Sequence, residues 1–207
     1  MNKSLSRREA LKTIGSASAV AFTQPATLLA QHTALEIAGK PVELAVSSVS
    51  PDTVRLSIAP LVNGQPQPIP NDGSLVQPGW GKPLARITTL PRDRQVRAGN
   101  LIVKFAPNPL TIRIEAKDGR LVQQLRPDVQ TGNLHFLLDD KPVLGFGEGG
   151  PQFDRRGETY TNRNGQGGYR LRTHGGRVPI QWLIGTSGWA LFIHHPVGSF
   201  DLTGKEG

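Results

Sequence analysis

Residues 101 to 125 read LIVKFAPNPLTIRIEAKDGRLVQQL. Leu101, Val103 and Phe105 alternate with Ile102, Lys104 and Ala106, and beyond Pro107-Asn108-Pro109 the residues Leu110, Ile112 and Ile114 alternate with Thr111, Arg113 and Glu115. A period of two sends successive side chains to opposite faces of a pleated strand, so each run predicts a strand with one buried face. Lys117-Asp118-Gly119-Arg120 then offers an Asp-Gly turn before Leu121 to Leu125. Three consecutive antiparallel strands are expected.

The pattern extends in both directions. Thr33 to Ile37 and Val42 to Val49 are β-prone runs parted by Gly39-Lys40-Pro41, and Val54, Leu56 and Ile58 alternate with Arg55, Ser57 and Ala59. Pro60 to Gly81, rich in proline and glycine, is expected to form a loop without elements of its own. Leu134 to Leu138, Val143 to Phe146, Tyr169 to Leu171, Val178 to Ile184, Trp189 to His194 and Ser199 to Leu202 read as further strands, with Gly185-Thr186-Ser187-Gly188 as a turn. With 207 residues, 17 prolines and 24 glycines, the chain has room for one core built of short strands rather than long helices. A dozen strands with no helical stretch after the leader predict an all-β fold, two antiparallel sheets packed as a β-sandwich.

Composition excludes several chemistries. Cysteine is absent, which removes disulfides, thiolate metal sites and cysteine nucleophiles. His32, His135, His174, His194 and His195 form no recognised metal-ligand spacing, so no metal is expected. The formal charge of +8 is spread along the chain without a basic recognition helix or a stacking-platform pattern, which argues for solubility over a nucleic-acid partner.

Residues 1–30 read as a leader. Ser6-Arg7-Arg8-Glu9-Ala10-Leu11-Lys12 precedes a weakly apolar, small-residue run from Thr13 to Phe22, the layout of a twin-arginine export signal. Export to the periplasm or beyond is the expectation, with residues 31–207 as the mature domain. Removing the leader takes away four cations and one anion and leaves +5. No apolar run reaches the eighteen or so residues of a membrane span.

The stretch GFGEGGPQFDRRGETYTNRNG, residues 145 to 165, opens with the glycine spacing of a dinucleotide fingerprint. That fingerprint needs a strand, a tight turn and a helix whose N-terminus meets phosphate. Gly157, Gly165, Gly167 and Gly168 leave no credible helix after Pro151, and no Walker sequence is present, so no cofactor is implied. Composition allows an exposed loop in which Asp154, Arg155, Arg156, Asn162, Arg163 and Asn164 offer hydrogen-bonding groups. On composition alone a solvated connector with a weak surface ion pair is the better reading.

Several motifs in order carry a resemblance. Val143-Leu144-Gly145-Phe146-Gly147-Glu148, Phe153-Asp154-Arg155-Arg156-Gly157, Asn162-Arg163-Asn164, Val178-Pro179-Ile180-Gln181-Trp182 and the strands reaching Phe200-Asp201-Leu202 resemble the amino-terminal domain of glycoside hydrolase family 31, the α-glucosidase and α-xylosidase family. The resemblance spans residues 33 to 204 and is sharpest over 143 to 202. It implies a galactose-mutarotase-like β-sandwich placed before a catalytic (β/α)8 barrel, with the segment after the FDRRG-like motif reaching over that barrel to wall a pocket for α-linked sugar. By position, Arg163 and Asn164, with Asn162 behind them, are the substrate-contact candidates, while Asp154, Arg155 and Arg156 brace the loop. Many relatives carry an acidic residue where this chain has Asn164, and an amide is no charged acceptor.

Retaining glycoside hydrolysis needs two carboxyl groups about 5–5.5 Å apart. In the resembling family both stand on the barrel, so no catalytic residue is assigned to this chain, and Glu148 with Asp154 makes a poor pair because nothing places them across a sugar. The chain alone is expected to be inactive. Two other readings are a free-standing carbohydrate-binding sandwich, which needs a displayed aromatic platform, and a mutarotase-like epimerase, which needs an acid–base pair such as His174, His194 or His195 could supply. Trp80, Trp182 and Trp189 are the tryptophans, and core packing is expected for the last two.

Overall fold

A computed structural model describes residues 34–70, 73–76, 79–147, 153–162, 180–195 and 198–207. The described chain is all-β. It contains no helix, and its strands pair antiparallel throughout.

The run that opened the sequence reading forms the centre of a five-stranded sheet. β6 (Arg94–Ala98), β7 (Leu101–Pro107), β8 (Leu110–Ala116), β9 (Leu121–Pro127) and β10 (Leu134–Phe136) lie in the spatial order β10-β9-β8-β7-β6. The turn between β7 and β8 contains a cis Asn108–Pro109 peptide, and Asp118 closes the next turn by accepting the Arg120 amide at 3.0 Å. Register pairs Phe105 with Ile112, Ile112 with Leu125 and Leu125 with Phe136, so one apolar row crosses four strands on the inner face. All four side chains are buried. Each contributes about 1.5–3 kcal/mol by leaving water. The outer row of Gln95, Lys104, Arg113 and Gln124 is polar, and Glu115 on this face is held by Lys104 at 2.6 Å and Arg113 at 3.2 Å.

A second five-stranded sheet comes from the first part of the chain. β1 (Glu36–Ile37), β2 (Lys40–Ser50), β3 (Thr53–Val62) and β4 (Gln65–Pro66) lie in that order, and β5 (Ala85–Ile87) pairs with β2 on its other side, setting Leu44 between Ile58 and Ile87. The third sheet is β11 (Val143–Gly145), β13 (Trp182–Gly185) and β14 (Trp189–Phe192), and a two-stranded ribbon joins β12 (Thr159–Asn162) to β15 (Gly198–Asp201). One hydrophobic cluster takes side chains from all four: Leu44 and Ile87, Val103 and Ile112, Val143 and Leu183, Tyr160 and Phe200.

Three expectations need correction. Pro60 to Gly81 is not bare loop: β3 runs through Pro60 to Val62, turns on Asn63 (φ 52°) and Gly64 (φ 75°), and returns as β4. That is the left-handed pair of a two-residue hairpin turn, which the surrounding prolines obscure. The turn between β1 and β2 is Ala38-Gly39, with Ile37 opposite Lys40, one residue earlier than expected. β5, β6 and β12 were not anticipated at all. The strand expected at Tyr169 to Leu171 and the first two residues of the one expected at Val178 to Ile184, which appears as β13 (Trp182–Gly185), lie outside the described residues, as do the leader, Glu148 and His174.

Candidate functional site

The site grows from the end of β11. Val143, fully buried, and Gly145 pair with Gly185 and Leu183 of β13. Gly145 (φ 118°), Phe146 (φ 61°) and Gly147 (φ 71°) then follow one another in the left-handed half of backbone space. This bends the chain sharply out of the sheet. Gly145 is required by space as well as angle, because a Cβ there would meet the Trp182 carbonyl oxygen at 2.0 Å. Phe146 holds an angle a bulky residue rarely adopts, and its surroundings fix it there: its ring lies 4.8 Å from Tyr160 and 4.6 Å from Phe200. It thereby ties the β12–β15 ribbon to β11.

The FDRRG segment is laced to the same strand. The Asp154 carboxylate accepts the Val143 amide at 3.0 Å and the Arg156 amide at 3.2 Å, while Arg156 grips it through Nη2 at 2.7 Å and donates to the Asp139 carbonyl at 3.3 Å. The Arg155 amide donates to the Val143 carbonyl at 2.7 Å, its Nε donates to the Gly145 carbonyl at 3.0 Å, and its guanidinium carbon stands 5.7 Å from the Tyr160 ring centroid. Arg155 is buried and Asp154 half-exposed. Farther on, Gly157 donates to Leu202, Leu202 donates to Glu158, and β12 delivers Asn162 opposite Gly198. Arg163 and Asn164 lie outside the described residues.

The side-chain hydrogen bond from Arg156, helped by the Val143 and Arg156 amides, lowers the Asp154 carboxyl to about 2. A depressed carboxyl pKa stabilises the fold above its unfolded value, and the contribution disappears as pH falls through the folded value. With the Asp154 side chain 36% exposed, screening limits the effect to under about 1 kcal/mol. The melting temperature of Asp154→Asn should therefore lie slightly below wild type at neutral pH and converge with it between about pH 4 and pH 2. A gap that persists unchanged below about pH 2 would show that the carboxylate charge plays no part.

Beside this frame lies a cleft of about 410 Å³, walled by Leu144, Phe153, Arg155, Ile180 and Trp182, with Gly145 and Gly147 also lining it. Trp182 corrects the sequence reading. It is 43% exposed, whereas Trp189 is buried edge-on to Phe136, with Gly185 leaving it room. Trp182 and Phe192 are register partners with ring centroids 6.0 Å apart, and the His194 ring stacks on Phe192 at 6.1 Å, so aromatic groups run along the outer face of β13 and β14. Among the described residues no cluster of three His, Asp or Glu side chains could hold a metal ion.

No family model, no curated protein and no solved structure matches the chain.

Proposed function

We propose that the chain is the non-catalytic amino-terminal domain of a family 31 α-glycosidase, exported through a twin-arginine signal, whose glycine-rich loop walls the sugar pocket of a catalytic barrel. The two five-stranded antiparallel sheets, each contributing to a common core, support the mutarotase-like sandwich that this reading requires. The observation that carries it is the state of Asp154. Its carboxylate is engaged by Arg156 and by the Val143 amide and held ionised at about 2. Such a group can neither protonate a leaving oxygen near neutral pH nor approach an anomeric carbon without breaking its own frame.

The same frame suits a supporting role. Asp154 and Arg155 fasten the FDRRG segment to β11, Arg156 clamps Asp154 and donates to the Asp139 carbonyl, and β12 fixes the chain up to Asn162, immediately before Arg163 and Asn164. A rigid sheet that launches a polar loop is the usual platform for binding residues.

Immunodetection of the protein in extracts of its native source tests this reading. A polypeptide far heavier than 22.4 kDa, carrying this sequence at its amino end, is expected. A mature species no larger than this chain would overturn it.

A further inference from the structure

We infer that two copies of this chain join through β3, the free edge of one pairing antiparallel with the same edge of the other about a twofold axis. The inference is independent of the glycosidase reading. β3 is paired with β2 along one side, whereas β4 covers its other side at Leu61 and Val62, and the Gln67 amide on the Pro60 carbonyl at 2.9 Å closes that cover. Among the described residues no strand lies along this side from Thr53 to Ala59. The backbone groups of alternate residues point to opposite sides of a strand. Since the Pro60 carbonyl points away from β2, Ile58, Leu56 and Val54 present their amides and carbonyls to the open edge. Pairing on the β2 side agrees: Val46, opposite Leu56, turns its carbonyl away from β3 to the Leu84 amide at 2.7 Å.

The other edges of the two five-stranded sheets are guarded. β6 carries the exposed Arg94 and Arg97, β1, β4 and β5 are two or three residues long, and β10 is covered where Gly207 and Phe136 exchange hydrogen bonds and the Lys205 carbonyl accepts from Leu138. β3 has Arg55 alone between Thr53 and Ala59. Its apolar row is also incompletely covered. Val54, Leu56 and Ile58 share the face of the buried Leu44 and Val46, yet Val54 and Leu56 are half-buried and Ile58 is 37% exposed. A strand added here satisfies the open backbone groups and extends cover over that row.

Register selects a second copy as the occupant. The outward-pointing residues of two copies all meet when Leu56 faces Leu56, which sets Val54 opposite Ile58 and Arg55 opposite Ser57. Apolar then meets apolar on the core face, and a cation meets a hydroxyl on the other. A slip of two residues one way sets Arg55 against Arg55, and a slip the other way brings in Pro60, which has no amide to donate. The stretch is thus its own complement in one register, the condition for an isologous contact.

Sedimentation of the purified chain should show a reversible dimer between about 10 and 500 µM. Ser57→Arg, which sets a cation against Arg55 of the second copy, should weaken it at least about tenfold, and Arg55→Glu added to that variant should restore it. Because the chain lacks cysteine, a single introduced thiol reads the register. Facing Cα atoms of a hydrogen-bonded pair stand about 5.5 Å apart, within the disulfide range of roughly 4.4–6.8 Å. Under mild oxidant, Leu56→Cys should therefore cross-link at least about tenfold faster than Val54→Cys or Ile58→Cys, whose thiols do not face each other. A chain still monomeric at about 500 µM would overturn the inference, as would a dimer indifferent to Ser57→Arg or cross-linking equal at all three positions. Should Leu56→Cys fail to fold, by circular dichroism, the charge exchange at Arg55 and Ser57 decides alone.

Discussion

Gly145→Ala should destabilise the domain by roughly 2–6 kcal/mol, combining overpacking of about 1–3 kcal/mol with backbone strain of about 1–3 kcal/mol. The added methyl meets backbone: the Trp182 oxygen would stand 2.0 Å away and the Leu183 Cα 3.2 Å away. Neither can swing aside, because the Phe146 amide donates to that same Trp182 carbonyl at 2.9 Å and β11 is registered on β13. For a domain of this size the loss corresponds to a melting temperature lower by roughly 5–20 °C. Gly188→Ala is the matched control. Gly188 has φ 106°, close to the 118° of Gly145, yet an added Cβ would find nothing within 4 Å. It should carry the strain alone, and the difference between the two variants isolates the collision. Equal losses would mean that β11 and β13 separate without cost and that the close approach does not hold the site together.

This glycine also answers the question posed by the dinucleotide-like spacing. Gly145 serves strand packing and Gly147 a sharp change of direction, which are needs that have nothing to do with phosphate. Sequence alone could set aside the nucleotide reading by the lack of a following helix. It could not show that the first glycine is required by a neighbouring strand 37 residues later, since that need exists only once Trp182 is in place.

How far the fold was legible depended on how local each signal is. β7 and β8 alternate cleanly because one face is core and the other solvent, so their inner row could be named residue by residue, whereas in β9 the buried row includes Gln123 and only the strand itself was legible. β6 lies at a sheet edge with only Val96 and Ala98 apolar, and β5 is three residues recognisable by pairing with β2, so neither stands out from its own sequence. β12 was hidden in the glycine-rich stretch, where Tyr160 is buried between the exposed Thr159 and Thr161. Trp182 was misplaced for a different reason. In β13 the larger side chains, Trp182 and Ile184, face outward, while Leu183 and Gly185 face the core, where the missing side chain of Gly185 makes space for Trp189. When both faces of a strand are apolar, period-two reasoning gives the faces but not their sides.

The site was legible in part. The FDRRG segment was picked out by composition, and Asp154 and Arg155 are fastened to β11 while Arg156 holds the Asp154 carboxylate. The aromatic cleft was missed. Its members come from residues 144 to 182, on two strands and two connecting segments, and no short-range spacing links them.

On the proposed function, this chain supports glycoside chemistry without performing it. Stabilising an oxocarbenium-like transition state takes a carboxylate pair in an enclosed pocket. The described surface offers an open cleft with exposed aromatic walls and, beside it, a carboxylate already bound to Arg156. The most direct test is hydrolysis of aryl α-glucoside, α-xyloside and α-galactoside by the purified chain. No turnover above the uncatalysed rate is expected. Turnover that survives extensive purification and is abolished by Glu148→Gln or Asp154→Asn would contradict it, and would place the chemistry in the glycine-rich stretch itself.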